Sequence, residues 1–462
     1  MQEKKYLKWY NKVGYGSGDI AGNVVYALLS SFVMIYLTNT VGLNAGIVGT
    51  LIAASKFFDG ITDIFFGTMI DKTKTRFGKA RPWMLYAYIG CAVTLVAIFA
   101  IPANLGKTSQ YAWFFIAYTL LNAVFYTANN IAYSALTALV TKNGKERVQM
   151  GSYRFIFAFA TSLLIQSVTV RAVSVLGGGA FGWRAVAVIY ALIGLAVNTV
   201  SVFSVKELSE EELAEETAGA LTGNQYPKEE DGENYNLLEA GKLLISNKYY
   251  LMICGVYILQ QIYTAMINMG IYYMTYVLKN ENLYGVFSWA VNVPLIITLV
   301  FTPMLVAKWK GMYKLNLRGY MLSTLGRALV IVAGYLGNVP LMLFFTAAAA
   351  VGQGPWQGDM NAVIASCSEY TYLTKKKRVD GTMYSCTSLG VKLGSGLGTA
   401  VAGWLLAASG FDGTASVQPE YCISMMRFIY LWLPMVISFA IMVILSKMNV
   451  EEANAKLKIS RS

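Results

Sequence analysis

Within KFFDGITDIFFGTMIDKTKTRFGKARPW, residues 56–83, Lys56, Asp59 and Asp63 follow one another at intervals of three and four in an otherwise apolar run. On a helix that spacing puts all three on one face. An ionised residue near the centre of a bilayer costs about 2.5–3.5 kcal/mol to insert, whereas a Leu or Phe returns only ~0.3–0.6 kcal/mol. The stripe is tolerable only if it faces the interior of a helix bundle. There, two carboxylates on one face can share a hard monovalent cation such as sodium, or exchange a proton. The alternative is a static ion pair with Lys56, Arg154 or Lys392.

The same test picks out Asp19 in YGSGDIAGN, Asn129 and Asn130 in YTANNIAYSAL, Arg154 in GSYRFIFAF and Lys392 in SLGVKLGSG. Arg327 and Arg427 lie nearer helix ends on this reading and can snorkel. Tyr133, Tyr153 and Trp356 stand close to the charged set, where an aromatic face can stack on the apolar face of a sugar. In the loop GTMIDKTKTRFGKARPW, Gly67 lets helices approach closely. Asp71 there is either a conformational latch, engaging a helix N-terminus or an arginine, or simple topogenic charge. Arg76, Gly78 and Arg81 complete the latch motif. The chain has no histidine, so proton or cation handling falls to carboxylates. With no histidine, no metal constellation and no Gly-rich phosphate loop, an enzyme is not expected, and neither is a cofactor.

The elements that position these residues follow from composition. The chain is 462 residues long, 56% hydrophobic and 13% charged, about half the roughly 25% charge of a soluble domain. Its mean hydropathy is +0.49. An all-α integral membrane protein follows. About 20 apolar residues cross the hydrocarbon layer, which gives about twelve spans. They lie near 16–38, 44–70, 83–102, 109–138, 147–176, 184–204, 248–277, 285–307, 318–338, 340–368, 381–408 and 423–446. No cleavable signal is expected.

Alternate loops hold the cations: Lys72, Lys74, Arg76, Lys79 and Arg81, then Lys142, Lys145 and Arg147, then Lys308, Lys310, Lys314 and Arg318, then Lys375 to Arg378. The positive-inside bias places both termini in the cytoplasm of a plasma-membrane protein. It also accounts for the net charge of +12 without nucleic acid. The expected domains are a six-helix bundle at 1–204, an acidic cytoplasmic linker at 205–247 that is partly helical at its start, a second six-helix bundle at 248–446, and a tail at 447–462. Six plus six suggests two repeats around a central cavity. The five cysteines form no CxxC pair and read as small buried residues.

Taken together, YGSGDIAGN, the DGITD pair, GTMIDKTKTRFGKARPW, NNIAYSAL and VKLGSG resemble the glycoside–pentoside–hexuronide:cation symporters, the melibiose-carrier branch of the major facilitator superfamily. The resemblance spans nearly the whole chain. It implies a bundle of about 12 transmembrane helices in two six-helix halves, and sugar uptake by symport with sodium or a proton through alternating access. By position, Asp59 and Asp63 match the paired cation-binding aspartates and Thr127 a hydroxyl ligand of that cation. Asp19 and Arg154 match sugar-contacting residues, Asn130 stands at a third, and Lys392, Thr387 and Ser388 match polar residues of the same cavity. The melibiose carriers have aspartate at Asn130, tryptophan at Ser134 and lysine at Gly18, so galactoside specificity does not carry over. They have asparagine at Thr62, which stands with Asp59, Asp63 and Thr127 in the cation-coupling set, so sodium and a proton both stay open as the coupling ion. The expected partners are a small sugar, a monovalent cation and the bilayer, with the protein a monomer. The competing readings are a carrier of lipid-like amphiphiles and a non-transporting glycoside sensor. Asp19, Asn130 and Arg154 favour a polyol over an alkyl chain, and no soluble signalling domain is visible.

Overall fold

The computed structural model describes residues 5–141, 143–208, 242, 245–309, 311–375, 385–415 and 417–459, and among them every regular element is helical. Twelve long helices are described: α1 (9–40), α2 (Ala45–Lys72), α3 (Arg81–Ile98), α4 (107–140), α5 (Gly144–Val175), α6 (Gly179–Ser204), α7 (248–277), α8 (Leu283–Trp309), α9 (Met312–Tyr335), α10 (Val339–Lys375), α11 (Ser385–Ala408) and α12 (420–445). A short α13 (Val450–Ile459) follows. Among the described residues, ten stretches are long and apolar enough to cross a membrane. The two long helices outside that set carry ionisable residues: Lys56 and Asp59 in α2, Arg318 and Arg327 in α9. α9 begins at Met312 and α10 runs to Lys375, past the expected edges at 318 and 368, because the helices continue beyond their apolar stretches.

Local sequence explains where the helices begin and where they deform. Asn143 caps α5 by accepting from the Glu146 amide, and Asn247 caps α7 by accepting from the Tyr249 and Tyr250 amides. Pro82 sits in the first turn of α3, where its missing N–H is harmless. Four helices contain a π-helical turn, at Tyr36–Thr40, Leu120–Tyr126, Tyr273–Val277 and Phe428–Trp432. Such turns recur at functional positions.

The chain divides into two compact units, Met1–Leu29 with Ser55–Asn234, and Ser30–Ala54 with Tyr235–Ser462. In the first, a core of Tyr15, Met84, Leu136, Met150 and Val202 is tied down by two carboxylates. Glu146 accepts from the amides of Tyr6 and Leu7 and from the Thr141 hydroxyl, with Lys12 3.4 Å away. Glu207, just beyond α6, accepts from the amides of Lys79, Ala80 and Arg81 at 2.6, 3.0 and 2.9 Å. It thereby caps α3 from a distant point in the sequence. Gly78, at φ +112°, lies so close to this carboxylate that a Cβ would be 2.3 Å from its carbon. Most of the expected linker lies outside the described residues, but its first residues are fixed: the Leu208 amide donates to the Leu139 carbonyl at 2.9 Å.

In the second unit, Gly390, Gly394 and Gly398 form a small-residue ridge that brings α11 against Tyr257, Ile258 and Ile262 of α7. The hairpin tip of α1 and α2 packs here too. Thr38 and Tyr272 hydroxyls are 2.8 Å apart, and the Trp404 indole donates to Thr50 at 2.8 Å. Arg327 departs from expectation. It is 1% exposed, lies within α9 and donates to the Tyr263 hydroxyl at 2.7 Å, so it is held by the unit's interior and does not snorkel. Cys91, Cys254, Cys367 and Cys422 are buried, as expected; the Cys386 side chain lies outside the described residues.

Replacing Glu207 with Ala removes the acceptor of three amides and should lower stability by about 1–2 kcal/mol, read as a lower thermal unfolding midpoint. An unchanged midpoint would remove Glu207 from this role. Burial pulls the Glu146 carboxyl upward, but the bonds from Thr141, Leu7 and Tyr6 and the charge of Lys12 outweigh it and hold its pKa below the usual carboxylate value. Its contribution is therefore present above the unfolded-state carboxyl pKa and is lost as pH falls through the folded value. Unfolding midpoints measured across acid pH should fall more steeply for the wild type than for Glu146→Gln; parallel curves would contradict this.

Candidate functional site

Four helices of the first unit gather the ionisable side chains. α1 supplies Asp19, α2 supplies Lys56 and Asp59, α4 supplies Thr127, and α5 supplies Arg154. The Arg154 Nε donates to Asp19 Oδ2 at 2.6 Å, with both side chains partly exposed. The guanidinium also lies 4.0 Å from the centre of the Tyr133 ring. Tyr133 is itself fixed, since its hydroxyl donates to the Tyr15 carbonyl at 2.8 Å and its ring packs on Tyr15 at 4.7 Å. With one neighbour an arginine and the other a tyrosine, and only 3% of the residue exposed, the ring is not open to a sugar. Its place is to orient Arg154, which corrects the expectation of direct stacking. Gly18 belongs to the same arrangement: a Cβ there would stand 2.7 Å from Ser201 Oγ and 2.9 Å from the Tyr133 ring. A lysine at this position would displace the aromatic support of Arg154.

The second cluster centres on Asp59. Its Oδ1 accepts from Thr127 Oγ1 at 2.6 Å, and Lys56 Nζ is 3.9 Å from Oδ2. Thr127 Oγ1 is also 2.9 Å from the carbonyl of Asn122, five residues earlier, within the π-helical turn that ends at Tyr126. A hydroxyl has one proton, so Thr127 has two acceptors to choose between. Whenever it donates to Asn122, its lone pairs and the Asp59 oxygen are both available to a cation. Thr62 turns its proton back to the carbonyls of Asp59 and Phe58 at 3.2 and 3.3 Å, which leaves it acceptor lone pairs of the kind a cation uses. Tyr126, which nothing in the sequence singled out, closes the π-helical turn immediately before Thr127. Its hydroxyl is 3.8 Å from where a Cβ on Gly22 would sit.

The other expected site residues divide as follows. Asn130 is exposed on α4. Its neighbour Asn129 serves the fold, donating to the Met84 carbonyl at 2.7 Å beside Asn198. The side chains of Asp63, Asp71, Thr387 and Ser388 lie outside the described residues. Lys392 is half-buried on α11 in the second unit. Trp356 is 1% exposed in that unit's core among Met312, Asn316 and Val363, so it packs and does not offer a face to ligand. In the latch motif, Gly67 has open space where a Cβ would sit, so close helix approach is not its role in this conformation. Arg81 Nε donates to the Val202 carbonyl at 3.0 Å, Arg76 lies over the Phe77 ring, and Gly78 meets Glu207. The carboxylate engaging a helix N-terminus here is therefore Glu207. Sequence reading passes over it because it opens a run of glutamates, KELSEEEL, in which no single acid stands out. Among the described residues no group of three acidic, Cys or His side chains forms a metal-holding cluster.

Residues 14–452 match the family described as MFS/sugar transport protein. The chain is 28% identical over 420 residues to an uncharacterized symporter of Bacillus subtilis (strain 168), YnaJ, covering 90% of this chain and 86% of that one. It is 26% identical over 437 residues to the isoprimeverose transporter of Lactiplantibacillus pentosus, covering 94% and 87%. Its fold is similar to the crystal structure of a D-xylose-proton symporter, with a TM-score of 0.59 and 16% identity over 95% of this chain and 97% of that one. The twelve-helix architecture and these relatives are those of multi-pass membrane transporters, not enzymes, and the chain belongs to the MFS/sugar transport protein family.

Proposed function

We propose that this protein imports a glycoside, pentoside or hexuronide across the plasma membrane by symport with sodium or a proton. The observation that carries the reading is the pairing of Asp59 with Thr127 alongside the Asp19–Arg154 pair in one unit. The first is a carboxylate–hydroxyl set suited to a small cation. The second presents guanidinium donors and carboxylate acceptors, the pattern that adjacent sugar hydroxyls require. The relative named as an isoprimeverose transporter supports a sugar cargo. The cycle begins with Asp59 and Asp63 unneutralised and mutually repelling. A sodium ion, or a proton, cancels that repulsion; Thr127 gives its proton to Asn122 and turns its lone pairs to the ion. Sugar then binds at the Asp19–Arg154 pair, with Asn130 as a further contact. The loaded carrier reorients by alternating access of its halves, 1–204 and 248–446, joined by the cytoplasmic linker. Asp71 with Arg76 and Arg81 latches one conformation. Each ligand improves the affinity of the other, reciprocally. The protein works as a monomer with both termini in the cytoplasm, in keeping with its loop charges.

The test is uptake of labelled glycosides, pentosides and glucuronides into proteoliposomes under a sodium gradient, a proton gradient or neither. Asp59→Asn and Asp63→Asn should each abolish accumulation driven by the coupling gradient, and unchanged uphill uptake in either would sink the assignment. Arg154→Lys keeps the charge but loses the planar fork, and should weaken sugar affinity by about tenfold while leaving the choice of coupling ion unaltered. A normal sugar KM in this variant would place the sugar elsewhere.

A further inference from the structure

The second unit contains a buried polar seam that the transport reading does not use. On α9, Asn316, Tyr320, Ser323 and Arg327 share one face; on α10, Gln353, Trp356 and Asp359 share the face turned toward it. Gly319 and Gly352 let the two backbones come so close that a Cβ on Gly319 would be 2.4 Å from the Gly352 carbonyl oxygen. Gln353 donates to Ser323 at 3.0 Å, and Tyr320 donates to Gln260 at 2.6 Å.

Asp359 is the member whose ionised form is hardest to account for. It is 6% exposed, and both its oxygens lie 2.9 Å from one atom, Asn316 Nδ2. Among the described residues no cation stands within ion-pair distance of it. The seam's own cation, Arg327, lies eleven positions along α9 from Asn316 and is engaged by Tyr263. α8 presents the hydroxyl-bearing Thr298 and Thr302 to Gly354 and Gly358 of α10. α9 presents Tyr313 and Asn316, and α13 presents Glu451, a second acid, to the crevice they share with Trp356. Ionised, a buried carboxylate with one neutral side-chain donor and a nearby acid is costly, and a bound proton removes that cost. A neutral acid needs one acceptor for its O–H. Asn316 is an amide, and its Oδ1 is buried without a partner; turned over, it places that oxygen where Nδ2 now meets the carboxyl.

We propose that Asp359 is a proton-binding site in its own right, holding a proton against Asn316 in this conformation and acting separately from Asp59 and Asp63. Opening the α9–α10 seam to water would release that proton. The carrier thus has a pH dependence of its own, whichever ion drives uptake.

The experiment is infrared spectroscopy of the full-length carrier in liposomes at neutral pH, reading the carbonyl stretch of protonated carboxylic acids. The wild type should show a band that is lost in Asp359→Asn and kept in Asp59→Asn and Asp63→Asn. No such band in the wild type overturns the proposal, as does a wild-type band that Asp359→Asn leaves undiminished. If Asp359→Asn does not fold, Asn316→Leu gives a second reading. Loss of the acceptor should shift the same band upward, and an unmoved band overturns the assignment.

Discussion

A charge inside a bilayer has to find its partners within the protein, and the arrangement of this chain follows from that constraint. Arg154 cannot lie on α5 without Asp19 on α1, and Asp59 on α2 draws in Thr127 from α4. Each of these contacts joins helices far apart in sequence, so the polar residues determine which helices become neighbours as firmly as the apolar packing does. Glycines do the complementary work, at Gly18 by leaving room for Tyr133 and at Gly319 and Gly352 by admitting a close backbone crossing.

The π-helical turn in α4 shows how backbone irregularity serves chemistry. A regular helix hands every carbonyl to the amide four residues on. In the wider turn, the Asn122 carbonyl meets the hydroxyl of Thr127, which lies at the very point where α4 resumes regular geometry. That second acceptor makes the Thr127–Asp59 bond replaceable without leaving a hydroxyl proton stranded.

Much of this was legible beforehand, for a physical reason. Ionisable residues in apolar runs are so costly that Asp19, Asp59 and Arg154 announce themselves, and the pairing of Asp19 with Arg154 agrees with their charges. The twelve helices are equally plain, since hydropathy over a span is a long, averaged signal. Less visible were features that depend on who faces whom. Tyr133 and Trp356 look alike in sequence as aromatics near charges, yet one supports Arg154 and the other fills a core. Glu207 hides among like residues, and Asp359, preceded by Gln357 and Gly358, reads as part of a weakly apolar stretch until Asn316 is seen against it. Arg327 was misjudged because distance from a helix end along the sequence says nothing about what surrounds a side chain.

The hold of Glu207 on the α2–α3 loop has a mechanical consequence. The chain leaving α6 is not free at Ser204: it is fastened at Glu207 to three amides and at Leu208 to the Leu139 carbonyl. The chain beyond α6 therefore leaves this unit four residues later than the helix end, about 13 Å of contour at full extension. Tension along it would be delivered to the N-terminus of α3 and the end of α4 before α6 felt it. The loop that carries Lys74, Arg76 and Lys79 thus doubles as an anchor for the chain beyond α6.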